Sequence, residues 1–468
     1  METAMNDRKR ESLGSRLGFL LLSAGCAIGL GNVWRFPFIT GKYGGAVFLI
    51  AYLVFLVAMG LPVLIMEFSV GRGSRLNMGR AFHVLEPAGT KWHAFGWFSI
   101  AGGYFLMMFY IPVAGWMLNY MAKGFSGKMI APAGTADVQA YVGNLFGSML
   151  ASPLEMAFWA VVTSVIGFGV CSLGVKKGVE RVTKYMMAGL LLIMVSLAAY
   201  AITLPGAVEG LRFYLLPDFA RAKAAGFWPL VNDAMNQAFF TLSIGVGAMC
   251  IFGSYLDKKR TLTTESAIVV GLDTFVALTA GLVIFPACFA FGINPDAGPG
   301  LIFATLPNVF NNMSPLAGRV FGALFFTFMS AAALTTVIAV VENCIAYFMD
   351  GFGWSRRKST LFNFVFLTLL TLPCIFGFNI WKSFNVPHIG GVLDCEDFII
   401  SNTLLPIGSL IFCLFCCNRY GWGWKNFTAE ADQGAGAKFP QWARFYLTWI
   451  LPVILAAILI VGYWQKFA

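Results

Sequence analysis

The sequence predicts an all-α polytopic membrane protein of about eleven transmembrane helices, arranged as a 5+5 inverted repeat whose first and sixth helices are discontinuous. Three observations predict it. Of the 468 residues, 58% are hydrophobic and 12% charged, half of the roughly 25% charge of a soluble domain. Apolar runs near the ~20 residues needed to cross a bilayer recur along the chain. They are continuous, which excludes the alternating segments of a β-barrel. Finally, two runs carry a glycine pair in their middle: Gly29 and Gly31 in the first, Gly245 and Gly247 in the sixth.

The elements follow in order. Residues 1–16, "METAMNDRKRESLGSR", are polar and basic with no small-residue cleavage site, and read as a retained cytoplasmic tail. Spans are expected at about 17–38, 45–70, 95–122, 154–173, 183–204, 231–256, 263–291, 318–349, 358–377, 397–417 and 444–464. Residues 17–204 then form the first five-helix repeat, and 205–417 the second with its outer loops. Residues 418–468 add a cytoplasmic loop and an eleventh helix outside the repeat. With the N-terminus inside, 22 of the 32 Lys and Arg fall on the cytoplasmic side. The net charge of +10 is therefore mostly a topology signal, with no nucleic-acid partner implied, and the C-terminus lies outside. The ten cysteines sit mainly within spans; Cys413, Cys416 and Cys417 have no partner histidines and read as core residues. The longest outer loops, near 123–153 and 205–230, hold no cysteine, and short outer loops without a cysteine pair fit a prokaryotic inner membrane.

The two breaks carry the chemistry. A freed backbone group inside a bilayer costs several kcal/mol unless something uses it. Half-helix N-termini present N–H groups and a positive dipole end to a carboxylate, and unwound carbonyls are hard oxygen ligands for a cation such as Na⁺. Matching breaks in two halves thus point to a transporter with a midplane binding site. A channel would show rings of repeated polar residues, and none is visible. An enzyme is disfavoured, because there is no HExxH or GxSxG and the three histidines, His83, His93 and His388, lack metal-ligand spacing and read as loop or interfacial residues.

The segments "GLGNVWRFPF", "GGAVFLIAY", "GLPVLIMEFSVGR", "LPDF" and "QAFFTLSIGVGA" occur in the order seen in the neurotransmitter:sodium symporter family, which the chain resembles over nearly its whole length, in particular the bacterial amino-acid transporters for leucine and hydrophobic amino acids. The resemblance implies sodium-coupled uptake of a neutral, hydrophobic amino acid by alternating access. The alternatives are a same-fold symporter for another small zwitterion or osmolyte, and a non-coupled channel or sensor. It also implies two sodium sites. The first uses Ala27, Asn32, Thr241 and Asp273 with the substrate carboxylate, and the second uses Gly25, Ile28, Ala332, Thr335 and Thr336. Taken alone the threonine pair reads as hydroxyls bonded back to their helix, and beside the broken first helix it reads as ligands. Substrate would lie against Ala27, Gly31, Leu106, Tyr110, Phe240, Ser243, Val246, Thr336 and Val340, with Tyr110 on its carboxylate, Phe240 as a lid, and Val246 enlarging the pocket.

Arg35 and Asp397 resemble the family's outer gate, and Arg10 and Asp350 its inner gate. Glu67 would accept the free N–H groups of the sixth break. Glu342 reads either as a protonated core acid or as part of a proton route. The chain departs from the family at Leu13, where tryptophan is common. It departs again at Ala188, which stands where a Gly-x9-Pro pattern starting at Gly178 would place proline. Asp273 is the most informative departure. Chloride-dependent relatives carry asparagine there and serine at the position of Ala277, whereas their other chloride ligands match as Tyr52, Gln237 and Thr241. Asp273 would therefore act as a built-in chloride surrogate beside sodium, making transport independent of chloride.

Overall fold

The structure, a computed structural model, describes residues 13–292 and 301–467. Arg10 lies outside them. The described residues are mostly helical, and their only β pairing is three isolated bridges. Among the described residues, nine helices are long and apolar enough to cross a membrane, and a bent pair makes a tenth. The bent pair is α1 (Arg16–Ala27) and α2 (Gly31–Lys42), which meet at 52°. The nine are α3 (Ala46–Ser74), α5 (Ala94–Ser126), α6 (Pro153–Ser172), α7 (Val175–Ile202), α10 (Leu262–Ala290), α11 (Pro315–Phe352), α12 (Arg356–Gly377), α13 (Val392–Cys417) and α14 (Ala443–Trp464). Between α3 and α5 lies the short α4 (Met78–Leu85). The expected sixth span is the divided pair α8 (Phe227–Thr241) and α9 (Ala248–Tyr255). The stretches expected as outer loops contain short helices, among them Val138–Ala151, whose Asp137 caps the Ala140 N–H at 2.8 Å.

The packing centres on α11, the most enclosed span, which lies along α5 in the most extensive helix contact of the molecule. α6, α7, α12 and α14 lie outside this core with most of their surface uncovered, as expected where lipid is the solvent.

The first break follows from sequence. Two glycines weaken the helix by about 1 kcal/mol each, and at Ile28 the backbone leaves the helical region with ψ at 93°. The freed groups find partners. Gly29 N–H donates to Asn32 Oδ1 (3.2 Å), Leu30 N–H to Tyr110 Oη (3.1 Å), and the Gly31 carbonyl accepts from Gln237 Nε2 (2.8 Å).

The second break is built differently. Ser243, Gly245 and Gly247 all have positive φ, at 51°, 97° and 69°. Glycine accepts this conformation freely and serine does so only under constraint. Glu67 takes the Gly245 N–H at 2.5 Å and the Met249 N–H at 3.2 Å, which is the support expected of it.

Three expectations need correction or completion. Glu342 is not a lone acid: it is ion-paired with Arg356 (Oε2–Nη1 2.8 Å) and accepts from Tyr255 Oη (3.0 Å), so a partner already neutralises it. α7 runs unbroken through Ala188 and Gly189. Asp350 accepts from the Asn77 backbone N–H (3.0 Å) and side-chain amide (2.6 Å), tying the start of α4 to the end of α11.

Candidate functional site

A small cavity of about 20 Å³ lies between the two breaks, lined by Ala27, Gly29, Gly31, Leu106, Tyr110, Phe240, Ser243, Thr336, Ile400 and Leu405. Seven of the nine expected substrate residues are among them. Val246 and Val340 are not, although both are fully buried. The positive-φ turn at Ser243 and Gly245 carries Val246 toward α5, where its Cγ1 would meet a Cβ on Gly102 at 2.9 Å and its carbonyl accepts from Ser99 Oγ (2.5 Å). Val340 stands one helical turn past Thr336, against Gly103. In this structure Val246 packs against α5 and does not line the cavity. Gly29, Ile400 and Leu405 replace these two in the wall.

A second cavity of about 460 Å³ lies on the other side of Tyr110 and Phe240, which line both spaces. Its wall includes Leu30, Trp34, Arg35, Asp233, Asp394 and Asp397. Its volume is that of an ordinary small-molecule site, whereas the inner cavity has room for about one water. Phe240 divides the two, and a Cβ on Gly31 would meet its ring at 2.9 Å. The Arg35 guanidinium lies 4.6 Å over the same ring. Arg35 reaches Asp397 through Ser401 rather than directly: Arg35 Nη1 donates to Ser401 Oγ (3.1 Å), which donates to Asp397 Oδ1 (2.8 Å). Ser401 sits one turn after Asp397 and so falls between the two charges.

Below the inner cavity, Asn32, Thr241 and Asp273 converge, all fully buried. Asp273 accepts from Asn32 Nδ2 (2.7 Å), Thr241 Oγ1 (3.0 Å) and Tyr52 Oη (3.4 Å). A bare carboxylate in such a place costs many kcal/mol unless hydrogen bonds and a cation answer it. Gln237, the other residue matched to a chloride ligand, spends its amide on the Gly31 carbonyl and leaves its Oε1 without a partner. Ala27 ends α1 in the cavity wall above.

Between the end of α1 and α11 a second group of oxygens gathers. Thr336 Oγ1 lies 3.4 Å from the Gly25 carbonyl, 3.3 Å from that of Cys26 and 3.5 Å from that of Ala332. These are long contacts for hydroxyl bonds, the spacing of oxygens gathered without tight mutual pairing. Thr335 Oγ1 bonds back to Ala332 O at 2.9 Å, and a Cβ on Gly25 would sit 3.2 Å from its Cβ. The extended backbone at Ile28 takes its carbonyl out of the helical ladder.

Two broken spans with converging oxygens describe a family as much as a site. The model of the sodium:neurotransmitter symporter family matches residues 10–136 and 148–467. The chain belongs to that family. A sodium-dependent transporter of Bacillus subtilis is 34% identical over 451 residues, covering 95% of this chain and 94% of its own length. The sodium-dependent serotonin transporter of Drosophila melanogaster is 26% identical, over 98% of this chain and 77% of its own length. Among solved structures, MhsT in complex with L-phenylalanine superposes with a TM-score of 0.86 at 36% identity, over 97% of this chain and all of that one. The chain is thus a multi-pass, sodium-dependent symporter of a small substrate and not an enzyme.

Proposed function

We propose that this symporter carries a neutral, apolar amino acid with two sodium ions and without chloride. The observation that supports it most directly is the buried Asn32–Asp273–Thr241 cluster beneath a cavity walled by Leu106, Phe240, Ile400 and Leu405. That wall offers no charge to pair with an acidic or basic side chain, and an unpaired charge buried there costs more than binding returns. Tyr110 accepts the Leu30 N–H and so keeps its own proton to donate to a substrate carboxylate. Phe240 moves aside to admit the amino acid from the larger cavity and closes behind it, with the Arg35–Ser401–Asp397 link above. Asp273 supplies beside sodium the negative charge that a halide would otherwise bring, and the oxygens of Gly25, Ile28, Ala332, Thr335 and Thr336 hold the second ion. The distribution of basic residues among the loops supports an inner-membrane protein with its N-terminus in the cytoplasm and its C-terminus outside.

The experiment is sodium-driven uptake in proteoliposomes, screened over the twenty amino acids, with chloride replaced by gluconate. Wild-type uptake survives the replacement, and an Asp273→Asn, Ala277→Ser double variant transports only with chloride. Collapse of wild-type uptake without chloride rejects the role of Asp273. A screen won by glutamate or lysine, or one in which none of the twenty is taken up, rejects the substrate class.

A further inference from the structure

His83 and His93, unpaired by their spacing in sequence, come together around one carboxylate. His83 sits in the last turn of α4, Glu86 caps that helix, and His93 caps the start of α5. Glu86 Oε1 lies 3.3 Å from His83 Nδ1 and 2.6 Å from His93 Nδ1. One ligand atom from each of the three lies within 4.8 Å of the others. We propose that His83, Glu86 and His93 form a binding site for a borderline transition-metal cation of the zinc class.

Two imidazoles and a carboxylate are the donor set such ions take, and three protein ligands leave the fourth tetrahedral position to water. At Zn–N and Zn–O distances near 2.1 Å, tetrahedral ligand atoms lie about 3.4 Å apart. The His83–Glu86 pair is already at that separation, and the His93–Glu86 pair opens by about 0.8 Å when the shared proton gives way to the metal. The two rings have the freedom to do this, because their side chains are 58% and 43% exposed while that of Glu86 is 8% exposed. The carboxylate is meanwhile held from behind, its Oε2 accepting from the His93 N–H (3.0 Å) and Thr90 Oγ1 (3.4 Å). Outer-shell bonds of this kind orient metal-binding carboxylates. A metal here clamps the end of α4 to α5, while Asn77 already ties its start to α11. The site is independent of the transport sites and of the substrate proposed above.

The test is a Co²⁺ titration of the full chain in nanodiscs, followed by visible absorption. One equivalent binds with d–d bands and no near-ultraviolet thiolate band, which separates this site from the ten cysteines. The His83→Ala, His93→Ala double variant binds at least about tenfold more weakly, and so does Glu86→Gln, which keeps an acceptor for the His93 N–H. Unchanged sodium-dependent thermal stabilisation shows that both variants are folded. Equal binding by wild type and the double variant, a thiolate band, or no spectral change up to millimolar Co²⁺ overturns the site. Wild-type affinity in Glu86→Gln overturns the three-ligand assignment.

Discussion

The two broken helices look alike in sequence and are held open in different ways. The α1–α2 break is satisfied by neutral side chains, Asn32, Tyr110 and Gln237, each of which has further bonding capacity. The α8–α9 break is satisfied by Glu67, a buried carboxylate from α3, and by a backbone that passes three times through positive φ. Neutral partners can exchange a backbone group for an ion or a substrate at small cost, whereas a buried carboxylate holding two N–H groups is fixed. The first break is thus suited to exchange with ligand and the second to holding its shape.

The sharpest way to break this contrast is Glu67→Ala. It strands two buried N–H donors that had charge-assisted bonds, a loss of about 3–6 kcal/mol. A fall in thermal midpoint and loss of uptake at saturating sodium are expected; a variant as stable as wild type shows that the second break does not depend on Glu67. Next comes Thr335→Val with Thr336→Val, which keeps volume and removes two hydroxyls. At ~1–1.5 kcal/mol each, sodium affinity weakens roughly 100-fold. Sodium-dependent binding that survives unchanged rejects the second site.

Tyr110→Phe is milder. It removes the acceptor of the Leu30 N–H and the donor offered to substrate, so substrate affinity falls about tenfold or more, measured by competition binding. A loss of stability with unchanged affinity would make Tyr110 part of the fixed frame instead. Ser401→Ala is the smallest change. It cuts the path from Arg35 to Asp397 and raises the substrate dissociation rate by a factor of roughly 5, read by washout of bound label, while equilibrium sodium binding stays the same.

Much of this was legible in the chain because glycine inside a membrane span is a strong signal. Gly29, Gly31, Gly245 and Gly247 marked both breaks, and Asn32, Asp273 and Glu67 stood out as polar groups in apolar runs. Ile400 and Leu405 could not be read as cavity wall, since one aliphatic residue among many in α13 carries no mark of the face it presents. That Val246 packs toward α5 was not readable, because the turn that directs it begins at Ser243, a residue that gives no warning of positive φ. The Arg35–Asp397 relation was visible as paired charges, but the intervening hydroxyl of Ser401 depends on helix phase. His83 and His93 read as loop or interfacial residues and Glu86 drew no reading, because the turn at Pro87, not a regular spacing, brings the three together.

One contact has a mechanical consequence. Gly245 and Gly408 meet backbone to backbone: a Cβ on Gly408 would fall 1.7 Å from the Gly245 carbonyl oxygen, and one on Gly245 would fall 2.3 Å from that of Leu405. With no side chain between them, the surfaces have no compliant layer to absorb sliding. A tilt of α13 is therefore transmitted to the α8–α9 turn with almost no play. Because α13 carries Asp397 and Ser401 near its start and Ile400 and Leu405 beside the cavity, a tilt of this one helix would shift the Arg35–Ser401–Asp397 link and the cavity wall together.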